Sequence, residues 1–494
     1  MVEKGGFWCG MSTVSLTYLE KSLRVSGDNM KQLIILTFFL LTRLGGAESP
    51  SRPNIILLMG DDHGWEEVGY NGHPYLKTPF LDEMAASGLR LDNFYAQPVC
   101  SPTRGNVLTG RHPNRYGTFT PGCSLRPEEI TVAHLLSKAG YGTGHFGKWH
   151  LGTLSKEPRD QKRWGTFAKS PARYYCPPWE RDVDVSFVTE SKVPTWDPLI
   201  DPGPIKKGGS PSSGKPYGND YFSGPGQKAT ENTKGDDSRV IMDRALPFIR
   251  NAVKEEKPFF TVIWFHTPHS PVVGGPRYRE MYLDRTEHEQ HYYGCLTAMD
   301  EQIGRLRAEL KSLGAADNTM LWFCSDNGPA RQGSPRHVGT AKDLKGYKLS
   351  INEGGIRVPG LMVWPEKIKE PKTVEAPCFT SDYFPTILDT LGVDLPAGRT
   401  YDGVTLLPFV TGKKIEREKP LGFLNKDGKE AAWMEHRYKL IEGKKTPQLF
   451  DIIADPGESK NLAKENPKVM QRLQLGLKAW KAEVMAELKA TEAK

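Results

Sequence analysis

One stretch decides the fold class: Asn54-Ile55-Ile56-Leu57-Leu58-Met59, which runs into Gly60-Asp61-Asp62. A short, continuous apolar run of this kind is typical of a strand that is buried on both faces of a sheet. Two similar runs follow at residues 258–265 and 320–323, and each leads into polar residues, His266 after the first and Ser325-Asp326-Asn327-Gly328 after the second. Three core strands with polar carboxyl ends are therefore predicted.

Helical patterns lie between these strands. They cover residues 78–88, 130–139 and 287–313, and Gly314 closes the last of them. Strands that alternate with helices predict an α/β fold with a mostly parallel sheet and helices on both faces. Because ligands bind beyond the carboxyl ends of the strands in such sheets, we expect the polar residues at the three strand ends to share one site.

The composition divides the chain into three parts. Residues 1–47 are interpreted as an N-terminal extension and a secretory signal that starts at Met30, which predicts a secreted or periplasmic protein. The apolar run of this signal is too short for a stable membrane span. A catalytic domain is predicted over 48–380, in which the Pro-, Gly-, Lys- and Ser-rich residues 153–237 are interpreted as a variable insertion of long loops over the site entrance. A small sheet-and-helix domain is predicted over 381–494.

The amino-acid content excludes several classes of protein. Hydrophobic residues make up 38% of the chain and charged residues 25%, which is typical of a folded protein. The formal net charge of +7 is modest for 494 residues, and Lys and Arg are scattered, so the charge suits anionic substrates but indicates no nucleic-acid groove. None of the seven cysteines forms a close CxxC pair, so no zinc ribbon or thioredoxin-like site is predicted.

Two long motifs carry the chemistry. The first is Cys100-Ser101-Pro102-Thr103-Arg104 with the following Gly105-Asn106-Val107-Leu108-Thr109-Gly110-Arg111, and the second is Gly140-Tyr141-Gly142-Thr143-Gly144-His145-Phe146-Gly147-Lys148-Trp149-His150-Leu151-Gly152. They resemble the two signatures of the type I, formylglycine-dependent sulfatase family, which belongs to the alkaline phosphatase superfamily. Counterparts in that family also exist for Asp61-Asp62, Pro268-His269 and Ser325-Asp326-Asn327-Gly328, and for the segments 344–348, 353–359, 448–451 and 455–458.

The resemblance implies an arylsulfatase-type sulfuric ester hydrolase whose nucleophile comes from Cys100. A formylglycine-generating or anaerobic sulfatase-maturating system would convert this cysteine to formylglycine. The hydrated aldehyde has two hydroxyl groups on one carbon, so that one attacks sulfur and the other expels sulfate as the aldehyde re-forms. Arg104 and Lys148 are expected to hold this hydrate and to offset negative charge.

Three further side chains have roles that the resemblance implies. His150 is expected to act as the general base that takes the proton of the second hydroxyl. His269 and Lys348 are expected to face the leaving oxygen, where one of them donates a proton and both contact sulfate. His266, at a strand end, is interpreted as a neighbouring structural or substrate contact.

A divalent metal completes the predicted site. Its expected ligands are Asp61, Asp62, Asp326, Asn327 and the modified Cys100. Oxygen donors of this kind suit Ca²⁺, or less often Mg²⁺, and do not suit zinc. Calcium is therefore the favoured cofactor.

The predicted substrate is a sulfated carbohydrate, because export and long insertion loops suit an external saccharide. Two alternatives remain open: a phosphomonoester or phosphonate hydrolase of the same superfamily, and a catalytically silent protein that binds sulfated glycans. Neither the sugar nor the sulfated position follows from the sequence.

Overall fold

The structure, a computed structural model, describes residues 52–157, 171–204, 212–331, 338–413, 416–425, 428–443 and 446–492. The N-terminal extension and signal predicted over 1–47 lie outside these ranges. The described strands are β1 Asn54–Gly60, β2 Leu89–Leu91, β3 Phe94–Tyr95, β4 Gly142–Lys148, β5 Val185–Thr189, β6 Tyr221–Gly224, β7 Gln227–Lys228, β8 Phe259–Trp264, β9 Thr319–Ser325, β10 Gly360–Val363, β11 Lys372–Val374, β12 Cys378–Phe379, β13 Leu421–Leu424, β14 Ala431–Glu435, β15 Tyr438–Glu442 and β16 Gln448–Asp451. The described α-helices are α1 Pro79–Ser87, α2 Cys100–Thr109, α3 Val132–Lys138, α4 Asp237–Lys254, α5 Pro276–Arg279, α6 Glu287–Ser312, α7 Glu353–Ile356, α8 Tyr383–Thr390, α9 Leu407–Val410 and α10 Pro467–Glu492.

The large sheet has the strand order β11-β2-β10-β9-β1-β8-β4-β5-β6-β7. The five strands from β9 to β5 are parallel, and the antiparallel pairs lie toward the two edges. Side chains of β1 alternate between two cores, with Ile55, Leu57 and Met59 in one and Ile56 and Leu58 in the other. Burial on both faces explains why this strand is apolar from Ile55 to Met59.

Helices cover both faces of the sheet. Apolar residues of α2, α3 and α8 pack in the first of these cores, and those of α1, α4 and α6 pack in the second. The predicted α/β class, with a mostly parallel sheet between helices, is confirmed. No helix in the described ranges is long and apolar enough to cross a membrane.

A small antiparallel sheet, β13-β14-β15-β16, follows near the C-terminus. Helix α10 packs on it through Leu473, Leu477, Trp480 and Val484. This sheet-and-helix unit agrees with the predicted fold class. The boundary at residue 380 stays a prediction, and α8 and α9 contribute apolar residues to the core of the large sheet.

A buried ion cluster joins the small sheet to the segment that begins α7. The ammonium of Lys439, on β15, lies 2.8 Å from carboxylate oxygens of both Glu353 and Glu458. Glu353 also accepts a hydrogen bond from Tyr95 (2.8 Å), and Glu458 accepts one from Asn352 Nδ2 (2.7 Å). Burial by itself lowers the pKa of Lys439, but the two carboxylates outweigh this and raise it, so the ammonium form is retained.

We expect Lys439→Met to lower the free energy of unfolding by about 3–5 kcal/mol, because Glu458 would remain buried without its counter-ion and Glu353 would keep only Arg357, 4.0 Å away. Thermal or denaturant unfolding measures the change. The matched control is Lys460→Met, since Lys460 pairs with Glu465 at the exposed surface and its loss is expected to cost less than about 0.5 kcal/mol. Equal stability of the two variants would show that the cluster does not stabilise the fold.

Two features of the sheet differ from the sequence-based interpretation. The prediction of loops throughout 153–237 is wrong at Val185–Thr189, which forms β5 beside β4, and at β6 and β7; residues 158–170 and 205–211 lie outside the described ranges. Strand β5 is short and half polar, so its pattern is not distinct from the polar segments around it. Strand β4 has no apolar run because it contains three glycines, and a Cβ at Gly147 would lie 1.9 Å from the Trp264 carbonyl oxygen of β8.

Candidate active site

The carboxyl ends of four parallel strands meet at one edge of the large sheet. Asp61 and Asp62 follow β1, and Asp326 and Asn327 follow β9. Lys148 is the last residue of β4, with His150 two residues later, and His269 lies in the loop after β8. The structure thus brings the predicted residues of these strands to one edge, as expected from the topology.

Cys100 begins α2 at the same edge. Val99 before it is extended, Pro102 lies in the first turn, where proline is tolerated, and Gly110 ends the helix with φ 67°. All ten residues of α2 are buried, and Cys100 is 1% exposed. Its Sγ lies 3.2 Å from Nδ1 of His150.

Ser101 holds the segment that carries His150. Its hydroxyl donates to the His150 carbonyl oxygen (2.6 Å) and accepts from the Gly122 amide (2.8 Å). His150 itself has a φ of 54°, so this contact stabilises an unusual backbone conformation. No role was predicted for Ser101, although its place beside Cys100 in the motif is a signal from which the role could have been inferred.

Arg104 and Lys148 form the buried cationic side of the site. The Arg104 guanidinium donates to Asp326 Oδ2 (2.6 Å) and to the Lys148 carbonyl oxygen (3.0 Å), and it lies 5.0 Å from the centre of the Trp264 ring. Lys148 Nζ lies 2.5 Å from Asp61 Oδ2, with both side chains fully buried. Both cations therefore have fixed positions before any substrate binds.

Asp62 organises the opposite side. It has a φ of 65°, and its Oδ1 accepts from Lys348 Nζ (2.5 Å) and from Asn327 Nδ2 (2.8 Å). His269 Nε2 lies 3.6 Å from its Oδ2. His269 Nδ1 lies 2.7 Å from the Ser270 carbonyl oxygen and can only donate to it, so in a neutral His269 Nε2 carries the lone pair and faces Asp62.

Burial and charge set the protonation states. Burial, with the neighbouring charges of Lys148 and Arg104, holds the pKa of His150 well below its usual range, so this imidazole is neutral. Burial lowers the pKa of His269 to about 3. Although burial lowers the pKa of Lys348 as well, Asp62 outweighs it and raises that pKa, so Lys348 keeps its proton.

Several oxygens fit a hard cation. Oδ1 of Asp61 and Oδ1 of Asn327 are buried without a hydrogen-bond partner among the described residues. One ligand atom each from Asp61, Asp62 and His269 lies within 4.8 Å of the others. Asp326 lies next to them, but its two oxygens pair with Arg104 and with the Asp62 amide (3.1 Å). His269 was predicted to face the leaving oxygen, and its position close to the Asp61 and Asp62 carboxylates would also allow it to bind a metal ion.

The crowded carboxylates also fit a bound cation. Burial, followed by the charge of Asp61, raises the pKa of Asp326 to about 7. Burial alone would raise the pKa of Asp61 too, but Lys148, His269 and Arg104 hold it well below its usual range. A divalent cation beside these groups would stabilise their ionised forms.

His266 lies apart from this cluster. It is fully buried, with Nδ1 2.8 Å from Asp237 Oδ2 and Nε2 2.7 Å from Thr189 Oγ1. Both contacts are structural, so His266 supports β5 and α4.

Comparison with known proteins decides the family. A model of the Sulfatase family matches residues 53–393, and a model described as N-sulphoglucosamine sulphohydrolase, C-terminal, matches residues 347–484. The chain belongs to the sulfatase family. It is a sulfuric ester hydrolase, as the two motifs predicted.

Relatives of this sulfatase extend over most of its length. N-acetylgalactosamine-6-sulfatase of Homo sapiens is 31% identical over 462 residues, which cover 84% of this chain and 82% of that protein. The ulvan-active sulfatase of Formosa agariphila is 27% identical over 444 residues, which cover 84% and 78%. The crystal structure of the PsFucS1 sulfatase from Pseudoalteromonas sp. superposes with a TM-score of 0.72 at 24% identity and covers 94% of this chain and 95% of that one, which supports the fold alone.

Proposed function

We propose that this sulfatase hydrolyses sulfate esters of carbohydrates with a formylglycine hydrate made from Cys100. The observation that carries the proposal is the position of Cys100 Sγ, 3.2 Å from a neutral His150 and buried among the Lys148, Lys348 and aspartate charges. Sulfate ester hydrolysis needs an oxygen nucleophile, a base and compensating positive charge, and each of these has a candidate at this point.

The reaction is proposed to begin with attack by one hydroxyl of the hydrate on sulfur, and this hydroxyl gives its proton to one of the neighbouring carboxylates, Asp61 or Asp326, whose charges act on residue 100. The bond from sulfur to the sugar oxygen breaks, and Lys348 donates a proton to this oxygen. Lys348 is assigned this role because, of Lys348 and His269, it is the one that is protonated before substrate binds. His150 then takes the proton of the second hydroxyl, the bond from carbon to the sulfate oxygen breaks, and the aldehyde re-forms and adds water. Arg104 and Lys148 hold residue 100 during both steps.

The proposed metal is Ca²⁺, with Mg²⁺ less favoured. Asp61, Asp62, Asp326, Asn327 and an oxygen of the modified Cys100 would hold it, and the unpaired oxygens of Asp61 and Asn327 support this set. When bound, the ion would neutralise charge on the sulfate and polarise the attacking hydroxyl.

The leaving sugar has room beside Asp62. A cavity of about 140 Å³ adjoins this residue and is lined in part by Ser270, His288, His291 and Tyr292. Its lining includes Pro268 and Ser270, the two neighbours of His269 in the chain, and the leaving oxygen is proposed to face His269. Carbohydrate is favoured as the substrate because two relatives have names that specify a sulfated sugar or ulvan.

Export to the cell exterior or periplasm is also proposed, on the strength of the signal-like sequence after Met30. The same producing cell must contain a formylglycine-generating or anaerobic sulfatase-maturating system.

We expect the matured protein to release sulfate from a sulfated saccharide, and a chelator to lower the rate at least 100-fold until Ca²⁺ is restored. Ion chromatography of sulfate measures the release from a panel of sulfated sugars and from 4-nitrophenyl sulfate. Faster hydrolysis of 4-nitrophenyl phosphate than of the matched sulfate would favour the phosphatase alternative. Binding of sulfated saccharides with no release of sulfate would favour the glycan-binding alternative, and unchanged turnover without metal would contradict the metal proposal.

A further inference from the structure

Lys192 lies beyond the end of β5, at the same edge of the sheet as the candidate active site. Thr189, the last residue of β5, pairs in register with Lys148 at the end of β4. The Trp149 amide donates a hydrogen bond to the carbonyl oxygen of Thr189 (3.0 Å). Lys192 follows three residues later, so its backbone lies near the end of β4. This segment was predicted to be a loop, and no role was predicted for Lys192.

The backbone around Lys192 is held on both sides. The Thr189 hydroxyl donates to the Ser191 carbonyl oxygen (2.6 Å), and Nδ2 of the fully buried Asn219 donates to the Lys192 carbonyl oxygen (3.0 Å). The next residue, Val193, is fully buried. Lys192 therefore projects from a fixed backbone rather than from a free loop.

The charges that act on Lys192 belong to the candidate active site. They are the ammonium groups of Lys148 and Lys348 and the carboxylates of Asp61 and Asp62. The side chain is half-buried, and partial burial together with the two neighbouring ammonium groups lowers its pKa. Its positive charge is thus less stable here than in water.

Lys192 differs in its ion pairs from the other three cations of the candidate site. Lys148 pairs with Asp61, Lys348 with Asp62, and Arg104 with Asp326, so three cations match three carboxylates. No carboxylate within the described ranges forms an ion pair with Lys192. A half-buried ammonium whose charged form is disfavoured by two other ammonium groups is stabilised when an anion binds close to it.

We propose that Lys192 is an anion-binding residue of the substrate pocket, whose ammonium contacts a negatively charged oxygen of the bound substrate. This inference rests on the proposed sulfate ester hydrolysis at the same site. The oxygen belongs either to the sulfate that is cleaved or to a second acidic group of the sugar, and the chemistry of the contact is the same in both cases. Lys192 thereby selects for anionic substrates and has no part in bond breaking.

The test compares Lys192→Gln and Lys192→Arg with the wild-type enzyme on two substrates. One is 4-nitrophenyl sulfate, which carries the sulfate alone, and the other is a disaccharide with one sulfate ester and one uronate carboxylate. We expect Lys192→Gln to raise KM by on the order of tenfold or more with little change in kcat, and Lys192→Arg to keep KM near the wild-type value. Lys228→Gln is the control, because Lys228 is an exposed lysine on the edge strand β7 and forms an ion pair with Asp220.

The outcomes separate the two sources of the anion. A higher KM for both substrates assigns the contact to the cleaved sulfate, and a higher KM for the disaccharide alone assigns it to the uronate. The proposal is overturned if Lys192→Gln has the same KM as Lys228→Gln on both substrates. It is also overturned if Lys192→Arg raises KM as much as Lys192→Gln does.

A binding measurement keeps this test separate from the test of the reaction. Calorimetric titration of the same disaccharide into Cys100→Ala and into Cys100→Ala/Lys192→Gln requires no turnover. Weaker binding by the double variant, on the order of tenfold or more, supports the role of Lys192 even if the wild-type enzyme releases no sulfate. Equal binding overturns that role even if the wild-type enzyme is an active sulfatase.

Discussion

Replacement of Cys100 by serine is expected to lower kcat by on the order of 10⁵- to 10⁶-fold. A serine hydroxyl can attack sulfur, but it has no second hydroxyl on the same carbon, so the sulfate would remain attached to residue 100. We therefore expect at most one equivalent of the leaving alcohol per enzyme. Mass spectrometry of the peptide that spans residue 100 should show the added sulfuryl group.

Two comparisons make this result specific. Cys100→Ala is expected to release no alcohol and to gain no mass, because it has no nucleophile. Unmodified Cys100 is expected to be nearly as inactive, since burial raises the pKa of its thiol against the opposing effects of Lys148 and Lys348, and the neutral thiol is a poor nucleophile. Normal turnover by protein whose Cys100 is shown by mass spectrometry to be unmodified would contradict the formylglycine mechanism.

His150→Ala is expected to separate the two halves of the reaction. The first half does not need His150, whereas the second needs a base for the remaining hydroxyl of residue 100. We expect a rapid burst of about one equivalent of 4-nitrophenol, followed by a steady rate about 10²- to 10⁴-fold below that of the wild-type enzyme. Stopped-flow absorbance measures the burst and the steady rate in one experiment.

The control for this variant is His134→Ala. His134 lies on α3 and pairs with Asp182 at a partly exposed position, so its loss removes an imidazole and an ion pair without a change at the site. It is expected to show the wild-type steady rate. A slow steady rate in His150→Ala with no burst would place His150 in the first half of the reaction and would contradict the proposed role.

The parts of the fold that were predictable are those with a strong local pattern. Strand β1 is recognisable because its side chains from Ile55 to Met59 meet apolar neighbours on one face or the other. Helix α6 was predicted over 287–313, and the structure has it at Glu287–Ser312, with Thr286 and Glu289 forming a capping box at its start. Strands β4 and β5 give no such signal, because glycines in one and polar residues in the other remove the apolar run.

The site residues that could be predicted are likewise those with a strong local sequence pattern. Because the carboxyl ends of parallel strands meet at one edge of the sheet, Asp61 and Asp326 were expected to lie close together. They do so in the structure, although 265 residues separate them in the chain. The partner of each cation could not be predicted, since the pairing of Arg104 with Asp326 depends on how α2 lies against β9. Lys192 was missed because β5 was missed. The roles of the six predicted catalytic residues and of the metal ligands stay predictions until the variants are measured.

The burial of Cys100 sets an order of events in the producing cell. A maturation enzyme has to surround the side chain that it oxidises, and in the folded protein that side chain is 1% exposed at the start of a fully buried helix. If Cys100 is the precursor, the oxidation has to happen while the segment is still an open chain, before α2 packs. Folding then makes the Cys100 side chain inaccessible to the maturation enzyme. Protein that folds with its thiol intact is therefore expected to stay unmodified, even if the maturation enzyme is supplied later.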